Sequence, residues 1–251
     1  EPPFRIRRIR QVLEAKDRLG VEDMQALQRD VVSLEALDFR DEVLAPLEDD
    51  LVRSGLGPLA NRALERLLAW DGDCGVDRVE PTLYHVLGER LLHGLLGRRL
   101  PEPLFCAYLE HFNEASAVLR RILRRPESAW WGPGGRGHGL AEALESTVRT
   151  LQDRLGTDLE AWTWGRLHQA EFLHPLGVRD LTRAFFCGPR LPTPGASSTV
   201  DVGGFLWTRP YVHTVGAAYR QVVALAPEGS AWFITAPGQS GNPASPHFRD
   251  L

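Results

Sequence analysis

The chain has 251 residues, of which 43% are hydrophobic and 25% charged, enough apolar material for a sizeable core in an ordinary globular composition. Its formal net charge of -4 argues against a nucleic-acid partner, because a phosphate backbone demands a basic surface. Arg, Glu or His interrupts every apolar stretch, so no membrane span is expected, and the opening "EPPFRIRRIR" lacks the apolar centre of a signal peptide.

Up to about residue 155 the spacing of apolar residues is helical. Ile6, Ile9 and Leu13 make a first stripe, with the Ile side chains of "RIRRIR" expected inward and its Arg side chains mostly in solvent. Met24, Leu27, Val31 and Leu34 make a second, after Gly20 and with Glu22 and Asp23 in the first turn, where carboxylates suit the helix dipole. Further helices are predicted in "DEVLAPLEDDLV", "LANRALERLLAW", "TLYHVLGERLLHGLL" and "LFCAYLEHFNEASAVLRRILRR". "WWGPGGRGHG", residues 130–139, reads as a turn-rich interruption before a last amphipathic helix that stops at Gly156. The pattern then changes. "EAWTWGRLHQAEF" alternates, "TVDVGGFLW" reads as a strand around a Gly pair, and "YRQVVAL" and "SAWFIT" are short Val, Ile and aromatic runs bounded by turns. The expected fold is therefore α+β, with a helical part over residues 1–155 and antiparallel strands over 156–251. Cys74, Cys106 and Cys187 are widely spaced, form no CxxC pair and read as small core residues.

Few residues suggest chemistry by themselves. "PGQSGNP" invites comparison with the G-x-S-x-G turn of serine hydrolases, but Pro243 and Pro246 forbid the helix that must follow. The alternative is a strand-ending turn in which Gly238 and Gly241 supply backbone angles closed to other residues. "GPGGRGHG" lacks both the Lys-Ser or Lys-Thr pair and the preceding strand of a phosphate loop, and reads as a surface loop. His168 and His174 are six apart; on a strand they would share a face, which leaves a metal pair open beside a hydrogen-bonded structural role.

Taken together, "RIRRIRQVLEAKDRLGVEDMQALQRDVVS", "LLAWDG", "AWTWGRLHQAEFLHPLG", "GAAYRQVV" and "GQSGNPASPHFRDL" resemble, in order and spacing, the later part of the β chain of the penicillin acylase family of N-terminal nucleophile hydrolases. The closing block is the most specific; its matching residues are Gly238, Gln239, Ser240, Gly241, His247 and Asp250, and His168 belongs to the third block. The resemblance implies an αββα sandwich of which this chain is a fragment, paired with an α chain and the remainder of the β chain of one processed precursor. It implies hydrolysis of a small-molecule linear amide, such as the acyl side chain of a β-lactam or an acyl homoserine lactone. The nucleophile would be a serine exposed by self-cleavage at the start of the β chain, its own α-amino group the base, with an Asn completing the oxyanion site. Both would lie upstream of Glu1, where any calcium ligands of the whole protein would also lie, leaving no cofactor to this part. A periplasmic or secreted location is implied as well.

One functional residue carries over. The family's active-site-organising Arg matches Arg5 in "FRIRRI", a task suited to a guanidinium that stays charged and presents a planar fork. The chain departs from the family at Ala196, where an acidic residue is common, and at Ala224, often Asp. The readings outside this class are a non-catalytic helical interaction module and a homologue that binds without a nucleophile.

Overall fold

The computed structural model describes residues 2–45, 55–177, 179–236 and 238–248. Helix α1 (Phe4–Glu14) buries Phe4 at its first turn. Helix α2 (Val21–Gln28) opens where the Gly20 N–H donates to the Asp23 carboxylate (2.9 Å). Helix α3 (Leu34–Phe39) is capped by Ser33, whose Oγ accepts the Ala36 N–H, and runs on into a π-helical turn at Arg40–Leu44. Helices α4 (Pro58–Ala69) and α5 (Glu80–Leu92) each carry Pro in the first turn, where its missing N–H costs no bond. Helix α5 also ends in a π-helical turn, His93–Gly97. Then come α6 (Glu102–Leu109), α7 (Phe112–Leu123) and the 21-residue α8 (Gly135–Leu155), which stops at Gly156 as its left-handed φ of 90° dictates.

Helix α5 is the axis of the core. It is packed between α4 and α8, and Leu83, Val86, Leu87, Leu91 and Leu92 are almost wholly buried. Each such side chain contributes roughly 1.5–3 kcal/mol on leaving water. The same apolar cluster continues into the second part through Trp162, Trp164, Phe205 and Tyr211.

That second part begins with a short helix, α9 (Trp164–Leu167), and also contains α10 (Asp180–Phe186). Its strands are short. β1 (Gln169–Ala170) pairs antiparallel with β2 (Leu191–Pro192) and parallel with β4 (Val212–His213). β3 (Gly203–Gly204) pairs with β5 (Val215–Gly216), and β6 (Tyr219–Val223) with β7 (Ala231–Thr235), both antiparallel. The architecture is α+β as expected, mainly helical first and strands after residue 168.

Several local expectations are corrected. Ile6 is not inward but 48% exposed, because the buried face of α1 is set by Phe4 and the loop beneath Arg5. The Met24 to Leu34 stripe is not one helix: it breaks after Gln28, and Val32 forms a bridge with Asp73. The run from Leu104 to Arg125 splits at Glu110 and His111 into α6 and α7. "GRGHG" is no loop but the start of α8, whose first residue, Gly135, takes a positive φ of 70°. "EAWTWGRL" is helical turns rather than strand, its aromatic side chains filling the core between the two parts. Cys74 and Cys187 are buried, whereas Cys106 is exposed on α6. "DEVLAPLEDDLV" is described only as far as Ala45, and the rest of it lies outside the described residues.

A buried polar contact ties the two parts together. The Tyr211 hydroxyl donates to the Glu89 carboxylate on α5, inside the core, and Arg90 pairs with that carboxylate at 2.9 Å. Burial and the Glu89 charge both push the phenol pKa well up, so it stays a donor. Tyr211→Phe leaves the carboxylate short of a donor and should cost about 1–3 kcal/mol, whereas Tyr211→Phe with Glu89→Leu should recover part of that loss. Urea unfolding midpoints of the three proteins test this; equal midpoints for wild type and Tyr211→Phe would remove the contact from the account.

Candidate functional site

Arg5 sits in the first turn of α1, half-buried, and faces the loop that follows Gly195. Its Nη2 donates to the Ser197 carbonyl (3.1 Å) and its Nε to the Thr199 carbonyl (3.2 Å), so one edge of the guanidinium forks across two backbone acceptors. A lysine could not reproduce that planar pair. Its neighbours on the helix are held differently. Arg7 is exposed and pairs with Asp38 (3.0 Å), Arg8 is bidentate on Asp30 at 2.6–3.0 Å, and Arg10 is exposed.

The loop that receives Arg5 is rigidly specified. Thr199 is fully buried; its Oγ1 accepts the Ala196 N–H (2.9 Å), and its proton lies between the Ala196 and Asp201 carbonyls. Gly195 donates its N–H to the Cys74 carbonyl (2.9 Å) and accepts from the Trp164 indole (3.0 Å). Ser198 and Ser33 share a hydroxyl hydrogen bond (3.0 Å), and Asp201 donates its N–H to the Asp30 carbonyl (2.9 Å). Ala196 is buried in this turn.

His168 lies directly beneath. It has no exposed surface, its Nδ1 donates to the Tyr211 carbonyl (2.8 Å), and it is stacked between Trp164 (4.4 Å) and His213 (5.3 Å). Its Nε2 abuts Gly203: a Cβ there would come within 2.7 Å of that nitrogen and 2.5 Å of the Pro194 carbonyl. Only glycine fits, which is why the Gly pair sits opposite this imidazole. His85 on α5 stacks on the other face of Trp164 (4.7 Å), so the rings His85, Trp164, His168 and His213 run in one column. The backbone of His168 is a hydrogen-bonded structural element, whereas β1 ends before His174, so the shared-face metal pair is not formed. His174 instead accepts the Leu176 N–H on Nδ1 (3.1 Å) and stacks on Phe186. Among the described residues no group of three or more His, Cys, Asp or Glu is arranged to hold a metal ion.

The closing motif carries hydrogen bonds of its own. Gln239 donates to the Thr235 carbonyl (3.2 Å), Gly238 accepts from the Thr235 hydroxyl (3.4 Å), and the Ser240 N–H donates to the His247 carbonyl (2.9 Å). Gly241 does not adopt a left-handed φ and its Cβ position is open, so its expected conformational role is not seen. Asp250 lies outside the described residues. Sequence reasoning missed Trp164, Thr199 and Tyr211, all buried around the Arg5 loop; the clustered aromatics of "AWTWG" were the one available signal.

Comparison with known proteins gives the family. The chain matches the penicillin amidase family model across residues 1–251, and it belongs to that family. It is 28% identical to the acyl-homoserine lactone acylase QuiP of Pseudomonas aeruginosa over 278 residues, covering 99% of this chain and 33% of that protein. It is 29% identical to the QuiP protein of Pseudomonas putida, covering 99% and 32%, and 26% identical to the penicillin acylase 2 proenzyme of Pseudomonas sp. strain SE83, covering 99% and 31%. The chain thus spans about a third of the length of the curated relatives it matches.

The imidazole column makes stability depend on pH. Burial disfavours the charged form and brings His168 from 6.5 down to about 4, only partly offset by its bond to the Tyr211 carbonyl, and burial likewise holds His85 down, to about 3. Well above pH 6.5 both are neutral in either state and add no pH dependence. As pH falls from 6.5 through about 4 the unfolded chain takes up the proton first, and stability is lost. Between pH 7 and 5, His168 alone should cost about 2 kcal/mol. Denaturant midpoints at several pH values check this. His168→Gln should be less stable at pH 7 but flatter below it, and an unchanged slope would exclude His168 as the titrating group.

Proposed function

We propose that this chain is the later part of the β chain of an N-terminal nucleophile amide hydrolase, built on an αββα sandwich with segments supplied from elsewhere in one processed precursor. The observation that carries the reading is the family match from residue 1 to 251, with relatives named as acylases of which the chain covers about a third. In this reading a serine at the start of the β chain attacks the carbonyl of a linear amide, its α-amino group removing the hydroxyl proton. The acyl group passes to the serine, the amine leaves with a proton, and water then releases the acid. An Asn side chain and backbone N–H groups stabilise the oxyanion. The substrate class is an acyl side chain on a β-lactam or on a homoserine lactone, the two kinds of acylase named among the relatives. A calcium ion bound elsewhere in the whole protein and a periplasmic or secreted location belong to the same proposal; no step passes through that ion.

Arg5 is the residue of this chain assigned to the site. Its fork on the Ser197 and Thr199 carbonyls supports the assignment, because it fixes a permanent charge at a set orientation while the loop beneath cannot yield. Preorganised charge of this kind stabilises a transition state without reorganisation during the reaction.

In the full-length protein, Arg5→Leu should lower kcat/KM, or precursor cleavage, by about 30- to 1000-fold, corresponding to ~2–4 kcal/mol. Arg7→Leu and Arg10→Leu, on the same helix but exposed, should cost under ~1 kcal/mol. Arg5→Lys keeps the charge, loses the fork and should also be strongly impaired. The four variants are compared for steady-state amide hydrolysis and for extent of chain processing. An Arg5→Leu protein that behaves like the two controls would return Arg5 to a purely structural part.

A further inference from the structure

A partly enclosed cavity of about 140 Å³ lies under α7, between that helix and α3, α5 and the Arg5 loop. One side of it is aromatic: Phe39, Tyr84, Phe112, Phe205 and Trp207 line it, with Trp207 stacked on Phe112 at 5.6 Å and edge-on to Phe205 at the same distance, and Asn113, Ser116, Ser197 and Ser198 add uncharged polar groups. The charged residues around it are balanced, three arginines (Arg5, Arg120, Arg124) against three carboxylates (Glu35, Asp38, Glu42). Arg120 pairs with Glu35 and Arg124 with Glu42, each at 2.6 Å, Asp38 pairs with Arg7 outside the cavity (3.0 Å), and Arg5 donates to the Ser197 and Thr199 carbonyls. Burial keeps the lining His85 imidazole uncharged as well. The space therefore has no net charge with which to select an ion.

A separate feature shows that the space is left open by the sequence. Gly88 lies inside α5, where glycine is the least favourable residue short of proline. It lines the cavity, has an ordinary helical φ, and a Cβ there would meet only the Trp207 ring, at 3.7 Å. Neither backbone conformation nor crowding requires glycine at this position. What its missing side chain does is leave the cavity unfilled. An apolar hole of about 150 Å³ is large enough to hold benzene.

We infer that this cavity is a binding site for a single neutral aromatic ring of benzene or phenol size, roofed by α7 and latched by the Arg120–Glu35 and Arg124–Glu42 pairs. It stands apart from the acylase reading, although an occupied cavity would press on Arg5, which shares its wall.

The test uses the full-length protein labelled with 5-fluorotryptophan and titrated with benzene and phenol, the Trp207 resonance being assigned through Trp207→Phe. Both rings should move that resonance with saturable, weak binding. Gly88→Leu should weaken binding about tenfold or more by filling the space, while Gly88→Ala should still bind and should melt at a higher temperature. Benzoate and benzylamine should bind less well than phenol. Absence of a saturable Trp207 shift with both neutral rings would overturn the proposal, as would wild-type affinity in a folded Gly88→Leu protein or equal affinity for the charged rings. Should Gly88→Leu not fold, the wild-type titration and Gly88→Ala decide by the same readings.

Discussion

The insertion of Trp164 between the two parts of the chain is the constraint on which the rest of the structure depends. Its backbone N–H is held by the Arg78 carbonyl (2.8 Å), and the following Gly165 N–H by the Val76 carbonyl (2.8 Å), so α9 is fastened to the segment before α5. Its indole N–H then fixes Gly195, the start of the loop that carries the Ser197 and Thr199 carbonyls. One side chain thus transmits the position of the helical core to the acceptors of Arg5. A fully buried indole with its N–H satisfied is both a large apolar contact and a directional one, which is why it can set a register as well as add stability.

His168 extends this arrangement. Its stacking on Trp164 and its bond to the Tyr211 carbonyl bring β4 to the loop, and Tyr211 in turn reaches Glu89 on α5. The chain of contacts closes on itself: α5, Tyr211, His168, Trp164, and back to the segment that opens α5. Closed networks of this kind hold only while each buried donor and acceptor is matched, so a single uncompensated change loosens several elements together.

How much of this was legible in the sequence divides by physical cause. Helices α4, α5 and α8 showed in the apolar spacing, because each turns one stripe to the core and helical periodicity is a local property. Strands β6 and β7 showed in their Val, Ile and aromatic content. Arg5 was legible only through its likeness to a family; nothing in "RIRRIR" distinguishes one guanidinium from the next, and what separates Arg5 from Arg7 is a loop nearly two hundred residues away. Helix α9 was misread because "AWTWG" alternates as a strand does, yet its burial comes from filling a gap between parts rather than from one face of a sheet. The break between α6 and α7 left no Gly or Pro to mark it.

The β6–β7 ribbon sets a requirement that the rest of the described chain does not meet. In its register Tyr219, Val223 and Phe233 lie on one face and Val222, Trp232 and Ile234 on the other, and only Val222 is buried. Phe233 is 64% exposed. One side is anchored to α2, where Arg220 reaches the Gln28 carbonyl (3.2 Å) and Gln28 the Gln221 carbonyl (2.9 Å). A two-stranded ribbon is marginal in water without a layer to pack against, and open strand edges invite pairing. Apolar residues on both faces are the pattern of a strand covered on both sides rather than of a surface hairpin. The proposed αββα sandwich supplies such cover, with a second sheet on one face and helices on the other, and the ribbon's anchorage through α2 would then place the Asp30 and Asp201 supports of the Arg5 loop at the rim of that sheet.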